Sequence, residues 1–107
     1  MKAVKEAAAK HRCVILLKGR VDIISDGKKV ALNRTGNSGM TVGGTGDVLA
    51  GICAGFMGLG LSPFNAACAA AFVNGTIGDK LLRKMSYGFL ASDFVKEIPV
   101  QVKRIMK

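Results

Sequence analysis

At 107 residues the chain is the length of one domain, long enough to bury about 65% of the surface that its unfolded form exposes. Half the residues are hydrophobic and 21% are charged, which excludes a disordered chain. The balance of 16 Lys+Arg against 7 Asp+Glu gives +9 and favours anionic partners, while 6% aromatics, no Trp and no basic–aromatic interleaving argue against specific nucleic-acid recognition.

Lysines and Glu6 spaced among Ala3, Val4, Ala7, Ala8 and Ala9 predict a short helix with one apolar stripe. The only histidine, His11, falls at its end, where positive charge suits the helix dipole. "CVILL", Cys13 to Leu17, reads as a strand buried on both faces, so the architecture is expected to be α/β. "VDIIS" and "KVALN" flank the turn signal Asp26-Gly27 and predict an antiparallel hairpin over Val21 to Asn33.

A glycine-rich segment, "TGNSGMTVGGTGDVLAG", then opens into helical spacing from Asp47 through Val48, Leu49, Ile52, Phe56 and Met57, ended by "GLGLSP". Ser62 and Pro63 read as the N-cap and first residue of a helix running to about Met85. Small residues in "AACAAAF", with Gly51 and Gly55 on the preceding helix, predict close helix packing. Ala91 or Ser92 opens a last helix with Asp93 in its first turn; Pro99 is expected to kink or restart it, and Lys103, Arg104 and Lys107 gather at its end.

Val48 to Gly78 contain no charge, yet Gly58, Gly60, Ser62, Pro63, Asn65, Asn74 and Gly75 break the run into pieces too short for a membrane span. The N-terminal "MKAVKEAAAKHRC" lacks the apolar core of a signal peptide, so the expected location is the cytoplasm. Cys13, Cys53 and Cys68 lack metal-ligand spacing and are expected to be buried, reduced thiols. One domain is expected, with neither repeat nor linker.

The chemistry concentrates in the glycine segment. A glycine-rich turn opening into a helix presents backbone N–H groups at the positive end of the dipole, and Gly43, Gly44 and Gly46 let an anion approach without meeting Cβ atoms. "GGTGD" is neither of the two common phosphate-loop patterns, since it lacks a Lys-Ser/Thr pair and is not G-x-G-x-x-G. Asp47, stabilised there as a carboxylate, could take the proton from an attacking hydroxyl in a phosphoryl transfer. An ordinary N-cap aspartate has the same local sequence.

The longer stretch "TGNSGMTVGGTGDVLAGICAG" resembles the signature of the ADP- or ATP-dependent NAD(P)H-hydrate dehydratases, a branch of the ribokinase-like superfamily. "VILLKGRVDIIS" upstream and "AAFVNGTIGD" and "GFLASDFVKEIP" downstream are similar in order and spacing to the family's strand, Lys-Gly turn and closing helices. The resemblance implies the C-terminal part of a three-layer α/β/α fold: a buried strand, a β-hairpin, the glycine loop and three helices. It implies that ADP or ATP, with magnesium, phosphorylates the hydroxyl of hydrated NADH or NADPH, and that phosphate loss restores the dinucleotide. Asp47 would be the base and also touch the substrate, and Gly43, Gly44, Thr45 and Gly46 would form the anion site. The turn Lys18, Gly19, Arg20, Val21 and Asp22 would contact the nucleotide, and Asn37 would shape the loop toward the substrate.

Two departures accompany the resemblance. The turn reads "KGRVD" where many relatives have a small residue followed by a hydroxyl residue. Family members are also more than twice as long, so part of the sheet and of the substrate pocket would come from a complementing N-terminal part, or the open strand edge would drive homo-oligomerisation. A small-molecule kinase of the same superfamily, such as a thiazole or hydroxymethylpyrimidine kinase, is the enzymatic alternative. A non-catalytic fragment binding nucleotides or polyanions is the other.

Overall fold

The computed structural model describes residues 1–40 and 43–105; Thr41 and Val42 of the glycine segment and Lys107 of the basic C-terminal cluster lie outside the described residues. The elements are α1 (Lys2–His11), β1 (Ile15–Leu17), β2 (Asp22–Ser25), β3 (Val30–Asn33), α2 (Thr45–Gly58), α3 (Pro63–Met85) and α4 (Ala91–Ile105), with short 3-10 turns at Ser38–Met40 and Ser86–Gly88. The apolar stripe of α1 buries Val4 and Ala8, and Lys10 and His11 occupy its last turn as expected. Arg12 ends the helix in a left-handed conformation, and the Cys13 N–H returns to the Ala8 carbonyl.

The hairpin forms where its turn signal falls. Asp26 Oδ1 accepts from the N–H groups of Lys28 (2.9 Å) and Lys29 (2.7 Å), and these bonds, that of Lys29 foremost, hold its carboxyl below the usual carboxylate range. Ser25, fully buried, closes the same turn by donating to the Lys29 carbonyl and accepting from the Gly27 N–H. The sheet order is β1-β2-β3, all antiparallel, with Leu16 opposite Ile24 and Ile24 opposite Ala31. Strand alternation sends this row toward α3, where Ile24 packs on Ala67 and Ala71.

β1 departs from expectation. The run was expected to be buried on both faces, but β1 lies at the edge of the sheet, with Ile15 and Leu16 only partly buried and Leu17 half exposed. Cys13, expected to be buried, is exposed beside it, and Cys53 and Cys68 are only partly buried.

The main core joins α2, α3 and α4 through Leu49, Ile52, Phe56, Ala70, Val73, Ile77, Leu81 and the tilted pair Phe89–Phe94, whose rings lie 5.7 Å apart. Ser62 caps α3 as anticipated, its hydroxyl accepting from the Asn65 N–H. The helix α4 opens at Ala91 and continues through Pro99 without restarting, while Asp93 accepts from the Leu90 N–H at its start. Among the described residues no helix is long and apolar enough to cross a membrane.

The close approaches fall only partly where expected: Ala66, Ala67, Ala70 and Ala71 of "AACAAAF" are buried in the core, while Gly51 and Gly55 are not crowded. Among the described residues, a Cβ on Gly51 or Gly55 would meet nothing within 4 Å, whereas one on Gly75 would strike Thr35 and one on Gly78 would strike Met40. Small residues thus both pack α3 into the core and seat the glycine segment on it, and α2 does not depend on its own glycines. Gly51→Ala should raise the denaturation midpoint, by up to about 1 kcal/mol of helix propensity. Gly75→Ala should lower the midpoint, at a cost of about 1–3 kcal/mol in unfolding free energy; urea titrations of the two variants compare them directly.

Across α3 and α4, Lys80 Nζ lies 2.6 Å from Glu97 Oε1, and this bond to Lys80 holds the Glu97 carboxyl below its usual range. A carboxylate whose acidity is raised by folding stabilises the fold above its unfolded pKa, and that contribution disappears as pH falls through the folded value. Lys80→Met should therefore melt at a lower temperature at pH 7. The gap should begin to close below about pH 4 in thermal melts across that range.

Candidate active site

The site starts from the turn after β1. Asp22, 4% exposed at the head of β2, accepts at Oδ1 from the Gly19 N–H (3.2 Å), with Lys18 Nζ at 3.9 Å, and at Oδ2 from Asn33 Nδ2 (2.9 Å). Asn33 Nδ2 also donates to the Ala71 carbonyl of α3, and Asn33 Oδ1 accepts from the Thr35 hydroxyl. The carboxylate of Asp22 is thus turned inward and shapes the turn. Lys18, Gly19 and Arg20 remain exposed, and Val21 is half buried.

The second half is the start of α2. Gly44 caps the helix with φ 95° and ψ −11°, a left-handed conformation that strains any other residue, and a Cβ there would lie 3.0 Å from the Ala91 Cβ at the start of α4. The Thr45 hydroxyl donates to the Met40 carbonyl at 2.7 Å, and the Val48 N–H bonds the Gly44 carbonyl. The helix begins at Thr45, two residues before the acid that marked its start in the sequence, so Asp47 is exposed within the first turn.

The two halves meet. Lys18 and Gly46 line one cleft of about 470 Å³, whose apolar wall includes Leu16, Leu49, Ala50 and Met57. Space beyond Gly43 and Gly46 is open, since a Cβ at either would meet none of the described residues within 4 Å. These glycines, an exposed lysine and a helix N-terminus fit a phosphate group. Among the described residues no cluster of three or more His, Cys, Asp or Glu side chains could hold a metal ion.

Asn37 is directed into the loop itself, donating to Asp79 Oδ1 and accepting from the Gly39 N–H. Asn33, Thr35 and Asp79 were not singled out from sequence. The one available signal was Asp79, the first charge after the uncharged run that ends at Gly78.

A family model described as NAD(P)H-hydrate dehydratase matches residues 1–100. The chain belongs to this family. The bifunctional NAD(P)H-hydrate repair enzyme Nnr of Archaeoglobus fulgidus is 55% identical over 101 residues, covering 94% of this chain and 22% of the relative. The ADP-dependent (S)-NAD(P)H-hydrate dehydratase of Cenarchaeum symbiosum is 43% identical over 100 residues, covering 94% of this chain and 35% of the relative. The ADP/ATP-dependent NAD(P)H-hydrate dehydratase of Bacillus subtilis, co-crystallised with ATP and Mg2+ and soaked with CoA, matches with a TM-score of 0.89 at 31% identity, over 96% of this chain and 39% of that one. The expected α/β fold of the ribokinase-like dehydratases is thereby borne out. The chain spans 22–39% of the length of these relatives.

Replacing Asp22 by Ala should leave Asn33 Nδ2 with one partner and the Gly19 N–H with none, costing about 2–3 kcal/mol. Chemical denaturation checks this, and Asp22→Asn, which keeps the shape but turns an NH2 group toward the Gly19 N–H or the Asn33 NH2, should also destabilise.

Proposed function

We propose that the chain carries the nucleotide-binding turn and catalytic loop of an NAD(P)H-hydrate dehydratase, the C-terminal portion of a larger ribokinase-like domain. The observation that carries this reading is the convergence of Lys18 and Gly46 on one cleft, with Asp47 in the same first turn of α2 as Gly46. In the proposed reaction ADP or ATP is the phosphoryl donor and hydrated NADH or NADPH the acceptor. The substrate hydroxyl oxygen bonds the terminal phosphorus, its proton passes to the Asp47 carboxylate, and the bond to the departing nucleotide breaks. The ring C–O bond of that phosphate ester then breaks, inorganic phosphate leaves and the adjacent ring carbon gives up a proton, which restores the dihydronicotinamide, a metabolite-repair reaction.

Gly43, Gly44, Thr45 and Gly46 receive the phosphoryl oxygens, where backbone N–H groups and the dipole favour developing negative charge. Lys18 and Gly19, with Arg20 and Val21 beside them, flank the nucleotide; Asp22 supports them from within. Asn37 acts on the substrate side through the loop it shapes. Magnesium is assigned to the nucleotide's phosphates, where it would offset their charge. The free cysteines suit a reducing compartment, and the cytoplasm is the proposed location.

The rest of the substrate pocket is assigned to a complementing N-terminal part paired along β1, whose outer edge has no neighbour in the sheet among the described residues; a second copy of this chain is the other occupant of that edge. Calorimetric titration with ADP and ATP plus magnesium tests the nucleotide site. Gly46→Val should weaken binding about tenfold or more by filling the open approach without straining the loop. Asp47→Asn should bind nucleotide nearly as well, yet lower NADH formation from its hydrate by about 10²–10⁴ once the N-terminal part is supplied. A stable phosphorylated product would instead indicate a kinase.

A further inference from the structure

We propose that Asp79 is a positioning residue for the anion loop, holding from α3 the segment that sets the start of α2; the nucleotide arm of this proposal rests on the function proposed above. Asp79 is half buried and reaches across the chain with both oxygens. Oδ2 accepts from the Gly36 N–H at 3.1 Å and Oδ1 from Asn37 Nδ2 at 3.1 Å. Asn37 passes the constraint on: its side-chain oxygen accepts from the Gly39 N–H at 3.0 Å, and its carbonyl accepts from the Met40 N–H. Met40 is then fixed twice. Its side chain lies against Gly78, one residue before Asp79, and its carbonyl accepts the hydroxyl of Thr45, the first residue of α2.

The route therefore runs from Asp79 through Asn37 and Met40 to the helix turn bearing Gly46 and Asp47. Asp79, Asn37 and Met40 do not line the cleft formed by Lys18 and Gly46, so Asp79 acts through geometry and not by contact with phosphate. A carboxylate is required because it offers two acceptors at once. A neutral amide at position 79 offers one acceptor, and its NH2 would face the Asn37 NH2.

That donor clash supplies the test. In Asp79→Asn, amide exchange at Gly36 and Gly39 and in the first turn of α2 should speed up about tenfold or more, while mid-α3 amides stay protected. The ADP dissociation constant should rise about tenfold, as expected for loss of a charged hydrogen bond. Adding Asn37→Asp restores a donor–acceptor pair with the roles exchanged, and the carboxylate introduced there keeps an oxygen for the Gly39 N–H. The double variant should regain both slow exchange and nucleotide affinity, which a general loss of stability would not produce.

Unchanged exchange in Asp79→Asn, or exchange that the double variant leaves fast, overturns the proposal. Should Asp79→Asn fail to fold, Asn37→Ala removes the same link and is read the same way against the native chain. If the native chain binds no ADP, the functional reading fails, and the exchange measurements still decide the role of Asp79.

Discussion

A carboxylate taken out of water must be given partners, and the arrangement of this chain follows from how Asp22 is given its own. Desolvating a charge costs several kcal/mol unless hydrogen bonds replace the lost water. Asp22 receives the Gly19 N–H on one oxygen and Asn33 on the other. Because Asn33 also bonds α3 and Thr35, a single buried pair ties the Lys18 turn, the hairpin, the long central helix and the entry to the glycine loop. Remove that pair and the two halves of the cleft lose their polar tie, leaving apolar packing such as that of Ile24 on Ala67 and Ala71 to relate them.

The helix α3 completes the frame with two kinds of contact. Polar ones run from the Ala71 carbonyl to Asn33 at the end of β3 and from Asp79 to the loop; apolar ones come from Gly75 and Gly78, whose missing side chains admit Thr35 and Met40. The loop needs the polar contacts for direction and the apolar ones for depth. Its open face is left to the start of α2, where Gly43 and Gly46 have free space beyond them among the described residues. Rigidity behind and access in front are what an anion site requires, since donors fixed in advance need little reorganisation when charge arrives.

Much of this was legible where the chemistry is local. Asp26-Gly27 named its hairpin, Ser62-Pro63 named the start of α3, and the glycine run before Asp47 named the loop, because each signal acts within a few residues. The failures share one cause. Gly51 and Gly75 look alike in sequence, and only partners some 40 residues distant distinguish an open glycine from a crowded one. Asp79 bonds residues 42 and 43 positions away, and no spacing rule spans that distance. β1 misled in the opposite sense: its apolar run reads as a doubly covered strand, but coverage depends on the elements packed over each face, and Leu17 is left half exposed.

Met40 carries a consequence beyond the single fold. Its side chain lies 2.9 Å from where a Cβ would stand on Gly36, and it would collide with one on Gly78 as well. Gly36 stands at φ 104°, where any side chain is strained, so the exchange of volume is with Gly78: a methyl group there requires a shorter side chain at 40, and a shorter side chain at 40 leaves a void beneath the loop unless position 78 grows to fill it. Positions 40 and 78 thus vary as a pair: in a deep alignment of relatives they should show correlated substitution, with volume conserved across the two and not at either one.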